Sequence, residues 1–414
     1  MLADWRQSLR SATILGATVV AGLLAVPAIG SAAGLGPSDD TQYGAGTAAL
    51  STETIQVAQA APTGAPISIG VVAPTSGDYA GLGSEAVNAI NLAAEQINQK
   101  GGVLGRPLRI IVADGATDPT LSLNAVTRLT TQDKVVAVLG TLCTGCTLAA
   151  IPAIKNANVP HFTIGDGGLR IAKAGSATTF LVTDTDEARG MAFVDAVHNH
   201  FKVKNVGILV SEKSEPGKTA QRTIEKALAG SDVKVTTVIA PTNAPDYKPY
   251  LTTLRDAGAQ VIFDGGSTGE EMAFILRQMQ DLRMQMPTVG MLWVDAMVQK
   301  SSPEAASIYY FATPYLPTFD TPAVKAFTDA YKAKFQRDPS KYSAIAYSST
   351  MILATAMEQA KSTDSDAVTA QVRKVAWTGP LGKPNFDSDG LWNVTTSIAR
   401  YLNGGLVLAY TPKQ

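Results

Sequence analysis

The segment "ISIGVVAPTSGDYAGLGSEAVNAINLAAEQINQKGGVLGRPLRIIVAD", Ile67 to Asp114, reads as one complete strand–helix–strand unit. Its first seven residues form a nearly continuous apolar run, the pattern of a parallel strand covered on both faces. Val87, Ile90, Ala94 and Ile97 then recur at helical spacing, Gly101-Gly102 closes the helix, and "LRIIVA" starts the next strand. The pattern continues with a helix opening at Asp118-Pro119, with Leu123, Val126 and Leu129 on one face. The run "VVAVLG", a helix from about residue 145 and the run "PHFTIG" follow.

After "TFLVT" the alternation begins again. Helix 186–201 leads to "VGILVS", helix 217–229 to "VKVTTVIA", helix 247–257 to "VIFDGG" and helix 270–281 to "PTVGML". A chain of 414 residues exceeds what one hydrophobic core usually supports, so two such arrays predict two doubly wound α/β lobes. Helices at Val324 to Phe335 and Tyr342 to Ala360 come next. The runs "KPNFD", "NVTTSIARYL" and "LVLAY", parted by Asp-Gly and Gly-Gly turns, read as an antiparallel meander.

At the amino terminus, Arg6 and Arg10 precede "ATILGATVVAGLLAVPAIG", and Ser31 to Ala33 offer small residues for cleavage, so residues 1–33 read as an export signal. The run is nearly long enough to span a bilayer, which makes a retained anchor the competing reading. No cysteine follows it, so a lipid anchor is not indicated and a soluble protein of the periplasm is expected. Residues 34–65 have too few large side chains to offset ordering entropy and are expected to be a disordered leader. A second small-residue signal at Val57 to Ala60 places the mature start between residues 31 and 61. The net charge of -1, from 34 basic and 35 acidic residues spread along the chain, leaves no basic stripe for nucleic acid.

Several motifs occur in a telling order: the Ser76-Gly77 turn, "AAEQIN" before "GGVLGRPL", Asp118-Pro119, "GTLC", Gly265-Gly266 before "FILRQ", and the late "GPLGKPNFDSDG". Over nearly all of residues 66–410 the chain resembles the periplasmic Leu/Ile/Val-binding protein family, the solute receptors of branched-chain amino acid type ABC importers. The resemblance implies a type I periplasmic binding protein: two Rossmann-like lobes, joined by a three-strand hinge, that close on a small molecule. It places residues 66–183 plus 317–377 in an N-terminal lobe and 184–316 plus 378–414 in a C-terminal lobe. It also implies a monomeric receptor rather than an enzyme, with no cofactor and with the membrane permease of an ABC importer as partner. A sensory ligand-binding module of the same fold is the alternative.

The stretch "LGTLCTGCTLAAIPAI" (Leu139 to Ile154) joins a strand end to a helix start, where free backbone N–H groups and the helix dipole favour an anion. Thr144, Gly145 and Thr147 are therefore candidate ligand residues, and the resemblance implies that Thr144 holds the ligand's carboxylate. In "TIGDGGLRI" the resemblance implies a loop that offers backbone carbonyls and a hydroxyl to an ammonium, at positions matched by Gly165 and Gly167, with Gly167 replacing the hydroxyl residue, while Asp166 either faces the cleft or caps the next turn. Pro216, Asp264 and Ser267 complete the expected site from the second lobe, with Tyr79, Leu82 and Trp293 as walls. Three positions depart from the family. Pro216 replaces an aromatic residue, Ser267 or Thr268 replaces a tyrosine, and Leu292 or Trp293 stands where a glutamate binds the ammonium. Losing that acid would cost several kcal/mol of affinity in a closed cleft. The expected ligand is therefore a carboxylate, an amide or an amino-acid-like molecule with an apolar or aromatic body, the carboxylate or amide fitting these departures better than an α-amino acid.

Cys143 and Cys146 are the only cysteines, and a metal site would need more partners than His161, His198 and His200, the last two of which face different sides of a helix. A redox pair would need an exposed thiol of low pKa. The resembled family often bonds the Cys143 position to a cysteine where this chain has Thr117, which leaves either a local Cys143–Cys146 disulfide or two thiols. "GGSTG" fits a nucleophile elbow at Ser267, but no histidine follows residue 200 to serve as base. "SEPGKT" is similar to a phosphate loop, but Glu212 stands where its first glycine belongs.

Overall fold

The computed structural model describes residues 62–77, 79–267, 269–291, 303–402 and 405–412. The expected export signal, the leader up to residue 61, Thr268, Leu292 and Trp293 lie outside the described residues. Residues 62–65, assigned above to the disordered leader, are instead tied to a neighbouring turn. Gly64 N–H donates to Gly105 O at 3.2 Å and Arg106 Nε donates to Ala65 O at 2.7 Å.

Five parallel strands, β1 (Ile67–Ala73), β2 (Leu108–Asp114), β3 (Ala137–Gly140), β4 (His161–Ile164) and β5 (Thr179–Thr183), build the first sheet. The second has β6 (Asn205–Ser211), β7 (Lys234–Ala240), β8 (Val261–Gly265), β9 (Thr288–Gly290) and β10 (Tyr309–Thr313), also parallel. β11 (Leu391–Asn393) then returns to pair with β5 in parallel, before β12 (Ser397–Leu402) extends the second sheet antiparallel to β10 and β13 (Gly405–Tyr410) pairs antiparallel with β12. The resulting orders are β11-β5-β4-β3-β1-β2 and β13-β12-β10-β9-β8-β6-β7.

The helices are α1 (Ala80–Gln99), α2 (Pro119–Thr131), α3 (Thr144–Ala157), α4 (Leu169–Ala174), α5 (Asp186–Ala196), α6 (Glu215–Leu228), α7 (Lys248–Asp256) and α8 (Gly269–Asp281). They continue with α9 (Pro303–Ser307), α10 (Pro322–Phe335), α11 (Lys341–Ala360) and α12 (Ser365–Val372). Among the described residues, no helix is long and apolar enough to cross a membrane.

Two features differ from the sequence reading. The tail is not one meander, because β11 belongs to the first sheet and only β12 and β13 form a hairpin. Leu381, Phe386 and Trp392 accordingly pack in the first sheet's core, and the chain passes to the second sheet after Val394 rather than at Thr378. A three-residue strand is too short to show a period, so neither its pairing nor its direction was readable.

Strand register places the functional end. Ile67 pairs with Leu108 and Ala73 with Asp114, so β1 and β2 end level and both βα turns emerge on one edge. β1 with β3, and β6 with β8, are likewise parallel, so in each sheet the carboxyl ends of these central strands carry the loops that open α1, α3, α6 and α8. Ligands of doubly wound sheets bind beyond such ends.

Candidate functional site

The β3–α3 loop is fixed by its own side chains. Cys143 caps α3, its Sγ accepting from the Cys146 N–H at 3.1 Å, and a disulfide joins Cys143 to Cys146 with Cα atoms 5.1 Å apart. Thr144, the first residue of α3, stays half-buried, and no hydrogen bond from its hydroxyl is formed among the described residues. Thr147 is different: it is wholly buried, donates its Oγ1 proton to Asp166 Oδ2 at 2.5 Å, and lies 2.7 Å from Thr141 Oγ1. Thr147 is therefore a support for Asp166, not a hydroxyl offered to the cleft. Gly145 is exposed, with only Pro119 near the space a side chain would fill.

The β4–α4 loop lies against it. Gly168 has no room for a side chain, because a Cβ there would come within 2.9 Å of Thr144 Cγ2. Gly165 packs equally close to the ring of Tyr342, and Gly167 to Asp186 and Arg189. Between the two glycines Asp166 is buried, and burial pushes its carboxyl up to about 8, against the pull of the Thr147 hydrogen bond. At neutral pH Asp166 accordingly keeps its proton. Tyr79 precedes α1 and donates its N–H to Thr117 Oγ1 at 3.3 Å, while Leu82 packs on the first core.

Beneath this loop lies a cluster that the sequence reading missed. Arg189 donates from Nε and Nη2 to Asp184 at 2.8 Å each, and from Nη1 to Asp186 at 2.8 Å. Lys341 at the start of α11 is wholly buried, with Nζ 3.8 Å from Asp184 Oδ1 and 5.4 Å from the Tyr342 ring centre. Burial and the neighbouring Arg189 bring the Lys341 amine down to about 8. Burial opposes ionisation of Asp184 too, but Arg189 and Lys341 outweigh it and hold that carboxyl below its usual range. The only sequence signal was the spacing of Asp184, Asp186 and Arg189, which reads as an ordinary acidic first turn of a helix. Their burial arises from the crossover between the sheets.

The second lobe's loops close on themselves. Ser267 gives its Oγ proton to Asp264 Oδ1 at 2.6 Å and its N–H to Oδ2 at 3.2 Å, and both residues are buried. Burial raises the Asp264 carboxyl to about 7 in spite of these bonds. Ser214 caps α6 by accepting from Gly217 N–H at 3.1 Å, and a Cβ on Gly217 would stand 1.9 Å from Gly265 O. Ser267 and Asp264, expected as ligand residues, thus spend their polar atoms on each other.

Of the expected residues, Thr144 and Pro216 both line one cleft of about 360 Å³, which α4 and the first turn of α5 also line. Tyr79, Leu82, Asp166 and Ser267 do not line it. The volume suits a small organic ligand. Among the described residues, no cluster of His, Cys, Asp or Glu is arranged to hold a metal ion.

The comparisons agree with this fold. The family model described as "Periplasmic binding protein" matches residues 66–404. The leucine-, isoleucine-, valine-, threonine-, and alanine-binding protein of Pseudomonas aeruginosa is 28% identical over 327 residues, spanning 78% of this chain and 86% of its own. The branched-chain amino acid transporter substrate-binding protein LivJ of Streptococcus pneumoniae, solved with isoleucine, superposes with a TM-score of 0.75 at 26% identity over 83% of this chain and 99% of that one. A solute-binding protein of R. palustris in complex with benzoate shares the fold, with a TM-score of 0.74 at 16% identity over 84% of this chain and 97% of that one. With its family model covering both sheets and the cleft between their loops, the chain belongs to the periplasmic binding proteins, as a type I member similar to the Leu/Ile/Val-binding proteins.

Proposed function

We propose that this protein is the extracytoplasmic solute receptor of an ABC importer, exported through its amino-terminal signal, and that it binds a small organic acid or amide with an apolar or aromatic body. The observation that carries this reading is the meeting of two helix starts, α3 at Thr144 and α6 near Pro216, across a cleft of ligand size. The acid end rests on the start of α3, where backbone N–H groups, the dipole and the Thr144 hydroxyl act together. Asp166 places no fixed negative charge beside it at neutral pH, since its proton is retained. The three crossovers near residues 184, 314 and 395 form the hinge, and closure about it presents the loaded receptor to the permease. The relatives' binding of amino acids and benzoate is consistent with a ligand of this size.

A calorimetric and thermal-shift screen of amino acids, aliphatic and aromatic acids, amides and ureas tests the reading. Saturable binding of at least one class, with a rise in melting temperature, is expected. Silence across the whole panel would overturn it.

A further inference from the structure

The receptor reading makes no use of the Cys143–Cys146 pair. A disulfide between residues three apart crosslinks a single turn, and the stabilisation a disulfide gives grows with the length of the loop it closes. Cys143 also caps α3 through its sulfur, a bond the reduced sulfur can equally accept, so the crosslink itself adds little to the fold.

The two sulfurs are placed differently. Cys143 is half-buried at the cap of a 14-residue helix, where the dipole favours negative charge, and its Sγ already accepts the Cys146 N–H at 3.1 Å. Cys146 lies in the first turn of α3 and is 1% exposed. An attacking group therefore meets Cys143 before Cys146. Gly145 leaves the approach open, since it is exposed and only Pro119, at 3.9 Å, lies near the space a side chain would fill. Among the described residues, no charged side chain lines the recess that the pair shares with Thr117, Ser122 and Thr141, so no carboxylate there opposes a thiolate.

We infer that this disulfide is redox-active and oxidises dithiols. A substrate thiolate attacks Cys143 Sγ, forming a mixed disulfide as the Cys143–Cys146 bond breaks, and Cys146 leaves as a thiolate that takes up a proton. The second substrate thiolate then attacks the substrate's own sulfur in the mixed disulfide, which closes the substrate disulfide and expels Cys143. The substrate loses two electrons and two protons. Both electrons reduce the protein disulfide; one proton goes to Cys146 and the other to solvent, because Cys143 stays a thiolate at the start of α3. A fall of about two units in the pKa of the expelled thiol speeds that step about tenfold. The activity is separate from solute binding and does not depend on the receptor reading.

Two measurements test it. In Cys146→Ser, the ultraviolet absorbance of the thiolate is followed against pH, and Cys143 should titrate below about 7.5, against about 8.5 for a free cysteine. The oxidised wild type is also mixed anaerobically at pH 7 with dithiothreitol, or with a reduced peptide carrying two cysteines, and the thiols of both partners are counted by alkylation and mass. One dithiol should be oxidised for each protein reduced, at least about tenfold faster than glutathione disulfide at the same concentration oxidises that dithiol. Faster reaction with the peptide would identify cysteine pairs of polypeptides as the substrate, and faster reaction with dithiothreitol a small dithiol. A Cys143 that titrates as a free cysteine does would overturn the inference. So would a wild-type disulfide that reacts no faster than glutathione disulfide, a result that holds whether or not Cys146→Ser folds.

Discussion

The loops at the two sheets' carboxyl ends are built from similar residues and use them differently. In the first, Thr144 keeps its hydroxyl uncommitted among the described residues, because Thr147, Thr141 and Asp166 satisfy one another behind it. In the second, Ser267 and Ser214 are consumed by Asp264 and by the start of α6, and glycines 217, 265 and 266 bring the loops into backbone contact. A polar loop residue binds ligand only if the fold satisfies its neighbours without using it. On the proposed reading the free hydroxyl at Thr144 is offered to the ligand by the first lobe, whereas the Ser267 and Ser214 hydroxyls of the second are spent within its own loops.

That contrast depends on the buried cluster beneath the first loop, which gives the largest expected effect. Arg189→Leu would leave Asp184 and Asp186 buried without their cation, at a cost of roughly 3–5 kcal/mol, measured as the shift of the denaturant midpoint. Wild-type stability would sharpen the picture if that substitution proved mild, since the crossover would then be solvated.

A second effect is a pH dependence. The folded protein holds the Asp166 proton up to about 8, whereas the unfolded chain releases it near 4, so over that window the folded state binds more protons and stability falls as pH rises. The slope approaches about 1.4 kcal/mol per pH unit for one group. Asp166→Asn should flatten the difference in unfolding free energy between pH 5.5 and 7.5, while the similar contribution of Asp264 persists in both proteins. An unchanged slope would show that Asp166 is solvated and ionised.

The smallest effect concerns the disulfide. Cys146→Ser and a reductant should weaken ligand binding alike and by only a few-fold, because Cys143 can still cap α3. A large loss would mean that the crosslink itself shapes the anion site.

Much of the fold was legible in the sequence. The span of β1 is the apolar run Ile67–Ala73 itself, and α3 opens at Thr144, one residue from the expected start. These elements carry their own period and caps. Local pattern could not show which sheet β11 joins, or that Arg189 and Lys341 are buried, because both depend on contacts between distant segments. The same limit applies to the hydroxyls. Thr144, Thr147 and Ser267 look alike in sequence, and only their neighbours decide which remains available. The state of Cys143 and Cys146 was left open for the same reason, since their spacing permits a disulfide without requiring it.

The most direct test of this division of labour is calorimetry of Thr144→Val beside Ser267→Ala, with a ligand identified by the screen. Loss of a charge-assisted hydrogen bond at Thr144 should cost roughly 1.5–3 kcal/mol, about ten- to hundredfold in affinity, whereas Ser267→Ala should change affinity less than about twofold. Undiminished binding in folded Thr144→Val, or an equal loss in both variants, would contradict the account: the grip would then lie elsewhere, or be shared by the two lobes.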